Sequence, residues 1–478
     1  MIETFYWHDY ETWGADPWRD RPAQFAGQRT DVDLNPIDEP LVLYCRPATD
    51  LLPQPEACLI TGITPQLAWR DGLIEAEFAA AIERVLVQPG TCGAGYNSLR
   101  FDDEVTRHLL YRNLFDPYAR EWRNGNSRWD LIDVLRAAHA LRPAGIEWPK
   151  RDDGTASFRL EDLTAANGIE HGAAHDALAD VRATIALVRR LKQAQPKLFD
   201  YALRLRDKRV ALRMLAEGRP LLHVSARYPA ERGCIAPVLP IAHHPTNANG
   251  VIVFDLREDP AAFADLSVEA LRERLFTPAA ERAGDVAPIP VKTVRVNHAP
   301  FLAPLATLTP EAAERWAADL DRVRRHAGAT DALKALGERL VQVYGRPMRG
   351  PPSDPDLMLY SGGFIGDADR RVLDRLRRLA PEDLAVERPT FEDPRLPEML
   401  WRYRARNWPE TLTDAEREDW DAYRLARLAD PEAGGSIVID AFEQRLIDLR
   451  ATCTDAPAKL AVIDELAAWA EQVMDVGD

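Results

Sequence analysis

Cysteine is scarce in this chain: five among 478 residues, at positions 45, 58, 92, 234 and 453. Their spacing forms neither a zinc pattern nor a disulfide framework, which points to a reducing cytoplasm. Long apolar runs are missing as well. No stretch approaches the roughly 18 apolar residues of a membrane span, so no membrane association is expected. The opening residues, MIETFYWHDYE, lack the basic region of a signal peptide and read as a strand. There is no internal repeat and no low-complexity tract. Positive charge is in deficit: 60 Lys and Arg against 76 Asp and Glu give a net charge of −16. Taken alone, that argues against a nucleic-acid binder, because phosphate contacts need Lys and Arg. Net charge governs solubility and long-range fields, however, not a local groove.

What is present fits a soluble protein of two or three domains, since one core does not grow to this length. Residues 1–195 alternate strand and helix signals, with strands at Thr4–His8, Leu41–Cys45 and Thr91–Gly95. Helices are predicted at Asp102–Asn113, Leu131–Leu141, Leu160–Ala166 and Asp176–Gln193. This mixture predicts an α/β sheet covered by helices. Beyond Pro196 the pattern changes to short β segments, LLHVSARY, GVIVFDL and VKTVRVN, followed by a helical passage near 310–345. A turn-rich linker, Tyr344–Asp356, leads into a region of helical periodicity ending in the amphipathic LAVIDELAAWAEQVM. Basic clusters at Arg204–Arg213, Arg322–Arg325 and Arg370–Arg378 are candidate nucleic-acid contacts, although most charge runs are solvated helix faces.

Four acidic residues and one histidine carry the chemical reading. Asp9 and Glu11 lie in FYWHDYETWG, Asp102 in GYNSLRFDDEVTR, and His175 and Asp180 in EHGAAHDALADVRATI. Residues two apart on a strand share a face, so Asp9 and Glu11 converge if the strand continues through them. Paired carboxylates repel, and a hard divalent cation with oxygen preference relieves the repulsion. Asp102 opens a helix, where Asp103 and Glu104 compete for any metal role and capping is the plain alternative. His175 and Asp180 converge only if His175 precedes the helix, because five residues turn about 140° around a helical axis. A histidine there suits proton abstraction at neutral pH. His171 and Asp176 are decoys. His171 with His175 imitates a zinc H-x-x-x-H, but the Gly and Ala residues around them argue against a zinc helix.

Together these blocks resemble the three motifs of the DEDD exonuclease superfamily in its His-containing branch. A closer similarity is to the bacterial exodeoxyribonuclease I family. It is carried by HDYETWG, RPAQFAGQRTD, LITGITPQ, GYNSLRFDDEVTR, NSRWDLIDV, SFRLEDL and NGIEHGAAHDALADV, and beyond them by KLFDY, LRERLFT, GDADR and YRARNWPETL.

The resemblance implies a ribonuclease-H-like α/β exonuclease domain (1–195), an SH3-like β-rich middle domain (196–350) and an all-α C-terminal domain (355–478). The three would clamp single-stranded DNA, and the chain would act as a monomer. The implied activity is processive 3′→5′ hydrolysis of single-stranded DNA to 5′-mononucleotides, in DNA repair and recombination. Two Mg²⁺ ions, with Mn²⁺ as a substitute, would be held by Asp9, Glu11, Asp102 and Asp180, with His175 as base. Thr12, Phe101, Arg107, Arg159 and Phe364 would meet the substrate, with Tyr360, Tyr403 and Trp408 as further stacking candidates. Arg142 and Tyr201 would dock the C-terminal tail of the single-strand DNA-binding protein. The alternatives are an RNA exonuclease of the same superfamily and a non-catalytic nucleic-acid-binding scaffold.

Overall fold

The computed structural model describes residues 3–172, 176–278, 281, 288–346 and 353–475. In it the opening strand, β1 (Thr4–Thr12), runs four residues past the predicted stop at His8 and so passes through both Asp9 and Glu11. It is driven inward by Phe5, Tyr6 and Trp7, all buried. The strand lies between β2 (Pro22–Thr30) and β4 (Thr91–Gly95), with β3 (Leu41–Tyr44) and β5 (Ser127–Asp130) completing the order β3-β2-β1-β4-β5. Pairing with β2 is antiparallel and with β4 parallel, a mixed sheet.

β2 escaped the sequence reading because it has no hydrophobic alternation. All nine of its residues are nonetheless buried. Its polar side chains are satisfied inside: Arg29 donates to Thr4 Oγ1 (2.7 Å), Thr91 Oγ1 (3.0 Å) and the Val85 carbonyl (2.6 Å). Buried polar groups are tolerated when hydrogen-bonded, and such a strand cannot be told from a loop by apolar periodicity. The predicted helices form within a residue or two of their expected ends, at Asp102–Arg112, Ile132–Leu141, Leu160–Ala166 and Ala177–Ala194. Unforeseen helices occupy Pro55–Thr61, Pro65–Asp71 and Glu75–Leu86.

A second, antiparallel sheet contains β6 (Leu221–Val224), β7 (Ile235–His243), β8 (Gly250–Asp255), β9 (Val291–Arg295) and β10 (Leu302–Pro304), ordered β10-β6-β7-β8-β9. Ile252 and Phe254 of β8 share a core with Leu333, Leu336 and Leu340 of the Thr330–Tyr344 helix. The tail is helical as expected. Its Asp414–Ala429 helix starts from a capping box of Thr413 and Glu416. No helix among the described residues is long and apolar enough to cross a membrane. No disulfide links the cysteines among the described residues.

The chain forms two compact units: residues 1–127, 171–182 and 351–478 make one, and residues 128–170 and 183–350 the other. Within the first, a buried ion network joins Arg21 and Asp50, in the N-terminal connections, to the tail helices. Asp50, with no side-chain exposure, receives a bidentate pair from Arg21 (2.8 Å) and bonds from Arg406 (2.9 and 3.1 Å). Arg406 also holds Asp356 at 2.6 Å, and Arg427 holds Asp354 at 2.7 Å. Burial opposes ionisation of Asp50, but Arg21 and Arg406 outweigh it and hold its carboxyl well below the ordinary 3.8. Removing one member of a buried pair strands the other charge. Asp50→Ala should therefore cost about 3–5 kcal/mol, read from urea unfolding. Because the carboxyl is depressed in the fold, its contribution is complete above about pH 4 and fades as pH falls further. A variant as stable as the parent at pH 7 would remove Asp50 from this role.

Candidate active site

Asp9 and Glu11 project from one face of β1, where the strand has outrun β4: the β1–β4 register ends at Trp7 and Ala94. Just past them the β1–β2 register shifts between Glu11 and Thr12, a bulge of the kind that re-aims side chains beside active sites. With no β4 partner at this level, the Tyr10 N–H donates instead to Asp102 Oδ1 at 3.1 Å. That bond carries the start of the Asp102–Arg112 helix to the acidic pair. Tyr10 reinforces it: the Thr106 hydroxyl is hydrogen-bonded both to the Tyr10 hydroxyl (3.0 Å) and to the Asp102 carbonyl (2.8 Å).

Asp180 comes from the first turn of the Ala177–Ala194 helix, whose Ala177 N–H donates to Gln24 Oε1 of β2 at 3.2 Å. One oxygen each from Asp9, Glu11 and Asp180 then lies within 4.8 Å of the others. Asp102, almost fully buried, stands beside this cluster through its Tyr10 bond. Burial and the neighbouring carboxylates, Asp102 first, push Asp9 well above the ordinary carboxyl range. Burial, then Asp180, Asp102 and Asp176, raises Glu11 to about 8. Such a set of hard oxygen donors, costly to ionise together, fits divalent cations. It does not fit zinc of the structural kind, which takes Cys and His.

The structure separates the competing acids near Asp102. Asp103 is buried against Arg120 at 2.6 Å, and Glu104 pairs with Arg107 at 2.6 Å. Only Asp102 is left facing the cluster. Nothing in the sequence marked Arg120 or Gln24, because both act through partners distant in the chain. His175 lies outside the described residues. The decoy His171 does not: its Nε2 is 2.5 Å from Asp180 Oδ1.

The other predicted contacts are scattered. Thr12 is buried and donates to the Gly14 carbonyl at 2.6 Å. Phe101 packs against the core that includes Tyr10 and Phe25. Asn97 takes a left-handed φ of 61°, a turn role that asparagine tolerates. Arg107 is committed to Glu121 (2.7 and 2.9 Å) and Glu104, and also donates to the Tyr360 hydroxyl at 3.0 Å. Phe364 is 81% exposed and meets Tyr118 edge-on. Tyr403, by contrast, is buried in a core, with the half-buried Trp408 packed edge-on against it. Trp18, which the sequence reading passed over, is half-exposed and lies against His108 and Tyr360, each at 5.8 Å. In the second unit, Arg159 is exposed at the start of the Leu160–Ala166 helix, and Arg142 donates to the Leu141 carbonyl at 2.5 Å. Tyr201 donates to the Leu302 carbonyl at 2.8 Å. Several arginines of the basic clusters are already paired, including Arg209 with Asp207, Arg324 with Asp321 and Arg375 with Glu387.

A mixed sheet presenting convergent carboxylates at a strand end defines an exonuclease of the ribonuclease-H-like class. A family model described as exonuclease matches residues 6–188; those of the exonuclease I SH3-like and C-terminal domains match 206–346 and 353–473. Exodeoxyribonuclease I of Escherichia coli is 46% identical over 480 residues, covering 98% of both chains. A solved exonuclease I from Methylocaldum szegediense superposes with a TM-score of 0.94 at 54% identity, over 99% of this chain and 100% of that one. A zinc-bound complex of Escherichia coli exonuclease I with single-stranded DNA gives 0.93 at 44%, over 99% and 100%. The chain belongs to the exodeoxyribonuclease I family and is an enzyme of that kind.

The raised Glu11 carboxyl makes a pH prediction. Between about 4.5 and about 8 the unfolded chain has lost this proton while the fold retains it, so stability falls as pH rises through that window. In EDTA, the melting temperature of Glu11→Gln should fall less from pH 5 to pH 8 than that of the parent. Equal slopes would show that the acidic cluster is not under this strain.

Proposed function

We propose that the chain hydrolyses single-stranded DNA processively from the 3′ end, releasing 5′-mononucleotides in DNA repair and recombination. The observation that carries this reading is the meeting of Asp9, Glu11 and Asp180 within 4.8 Å, with Asp102 alongside. The zinc-bound, DNA-bound relative supports both the metal and the substrate class. Mg²⁺ is the proposed resident ion, two per site, with Mn²⁺ as a substitute. Asp9, Glu11 and Asp180 would hold one ion and Asp9 would share the second, with Asp102 acting through its shell. When bound, the pair would stabilise the attacking and leaving oxygens of an in-line displacement.

The protein's own groups supply the rest. His175 takes the proton of the attacking water. Thr12 meets the terminal 3′ nucleotide. Arg159 faces the substrate phosphates, and Arg107 joins it by exchanging a carboxylate partner for a phosphate. Phe364 and Phe101 offer aromatic faces, which accept any base at roughly 1–3 kcal/mol per base. The exonuclease part spans 1–195, the SH3-like part 196–350 and the helical part 355–478. The enzyme acts as a cytoplasmic monomer, and Arg142 and Tyr201 dock the acidic C-terminal tail of the single-strand DNA-binding protein.

Asp9→Ala should abolish cleavage of a DNA oligomer in Mg²⁺ while retaining binding to it in a gel-shift assay; cleavage at the parental rate would remove Asp9 from the site. His175→Ala should lower kcat on the order of 10²–10⁴-fold with a small change in DNA affinity. An unaltered pH–rate profile in that variant would take the base role from His175. Matched DNA and RNA oligomers decide the substrate: DNA should disappear faster, and faster loss of RNA would overturn the reading.

A further inference from the structure

We propose that His171 is a positioning residue that orients the Asp180 carboxylate toward the cation site. This rests on the reading of Asp180 as a metal ligand. The contact is direct, His171 Nε2 to Asp180 Oδ1 at 2.5 Å, and enclosed, with side chains 7% and 18% exposed. The backbone around Asp180 is fixed from elsewhere. The Ala177 N–H is tied to Gln24 of β2, and the Ala179 and Asp180 N–H groups donate to the side chain and carbonyl of Asp176 (3.0 and 3.1 Å). That pins the first helical turn, and the His171 contact acts on the side chain beyond it.

The orientation of that side chain matters because Asp180 shares its 4.8 Å cluster with two carboxylates that repel it. Rotation toward solvent would relieve the repulsion and dismantle the donor set. A ring N–H from His171 holds one oxygen while the carboxylate still offers an oxygen to the Asp9–Glu11 cluster. A neutral imidazole with its proton on Nε2 suffices, so no change of protonation is required. Ligating carboxylates are commonly held by such outer hydrogen bonds, whose loss typically costs 10–100-fold in metal affinity.

The test is equilibrium Mn²⁺ binding to the full-length protein without DNA, followed by electron paramagnetic resonance, for the parent, His171→Ala, His171→Gln and Asp180→Asn. His171→Ala should bind Mn²⁺ about 10–100-fold more weakly. His171→Gln, which keeps an N–H donor, should recover most of that loss. Affinity for single-stranded DNA in EDTA should match the parent in both His171 variants, and saturating Mn²⁺ should restore kcat to His171→Ala. Parental Mn²⁺ affinity in His171→Ala would overturn the proposal. So would a Gln variant as weak as Ala, or a His171→Ala enzyme that binds Mn²⁺ normally but loses kcat, which would make His171 a base. Unchanged Mn²⁺ binding in Asp180→Asn would instead sink the metal-site reading, and the proposal with it.

Discussion

Mutual repulsion among Asp9, Glu11, Asp102 and Asp180 is the constraint on which the site depends. Four carboxylates gathered in a partly buried cleft are unfavourable unless protonated or matched by cations. The fold spends several unrelated elements on holding them there. β1 outruns β4 so that the Tyr10 N–H is free to take Asp102; β2 sends Gln24 to cap the helix that bears Asp180. Equally telling is what the fold removes. Asp103 and Glu104 are neutralised by Arg120 and Arg107, so the negative potential is concentrated where it is useful.

The same device, an arginine matched to each unwanted buried acid, also holds the larger frame. Asp50 sits under Arg21 and Arg406, and Glu75 under Arg112, without solvent to compensate them. One of these bonds, from Asp50 to Arg406, joins segments more than 300 residues apart. The tail helices are thus part of the unit that carries the carboxylates, which is how residues 351–478 come to share a compact body with residues 1–127. An exonuclease site supported in this way is sensitive to changes far along the sequence.

Legibility varied with how local the cause was. Strand β1 was visible because apolar side chains crowd Thr4–His8, and the acidic pair because a two-residue spacing keeps one face. Helix ends near Asp102, Leu160 and Ala177 were visible from periodicity and glycine punctuation. β2 was invisible: its Arg29 and Gln24 find partners, such as Thr91, Val85 and Ala177, that only the fold brings near. Among aromatics the sequence could not rank exposure. Tyr403 is sealed in a core, whereas Phe364 stands in solvent and Trp18 is half-exposed.

The chain alone determined the chemical vocabulary: oxygen donors in three ordered blocks, histidines before the last of them, and no cysteine–histidine alternative. It also fixed the succession of a mixed α/β part, a β-rich part and a helical part, because side-chain periodicity is a local property. Tertiary structure decided which acid of Asp102, Asp103 and Glu104 faces the cluster, and that His171 touches Asp180. Those choices depend on Arg120, Arg107 and the Tyr10 N–H arriving from elsewhere. Electrostatic pairing acts through space, and spacing along a polypeptide carries no record of it.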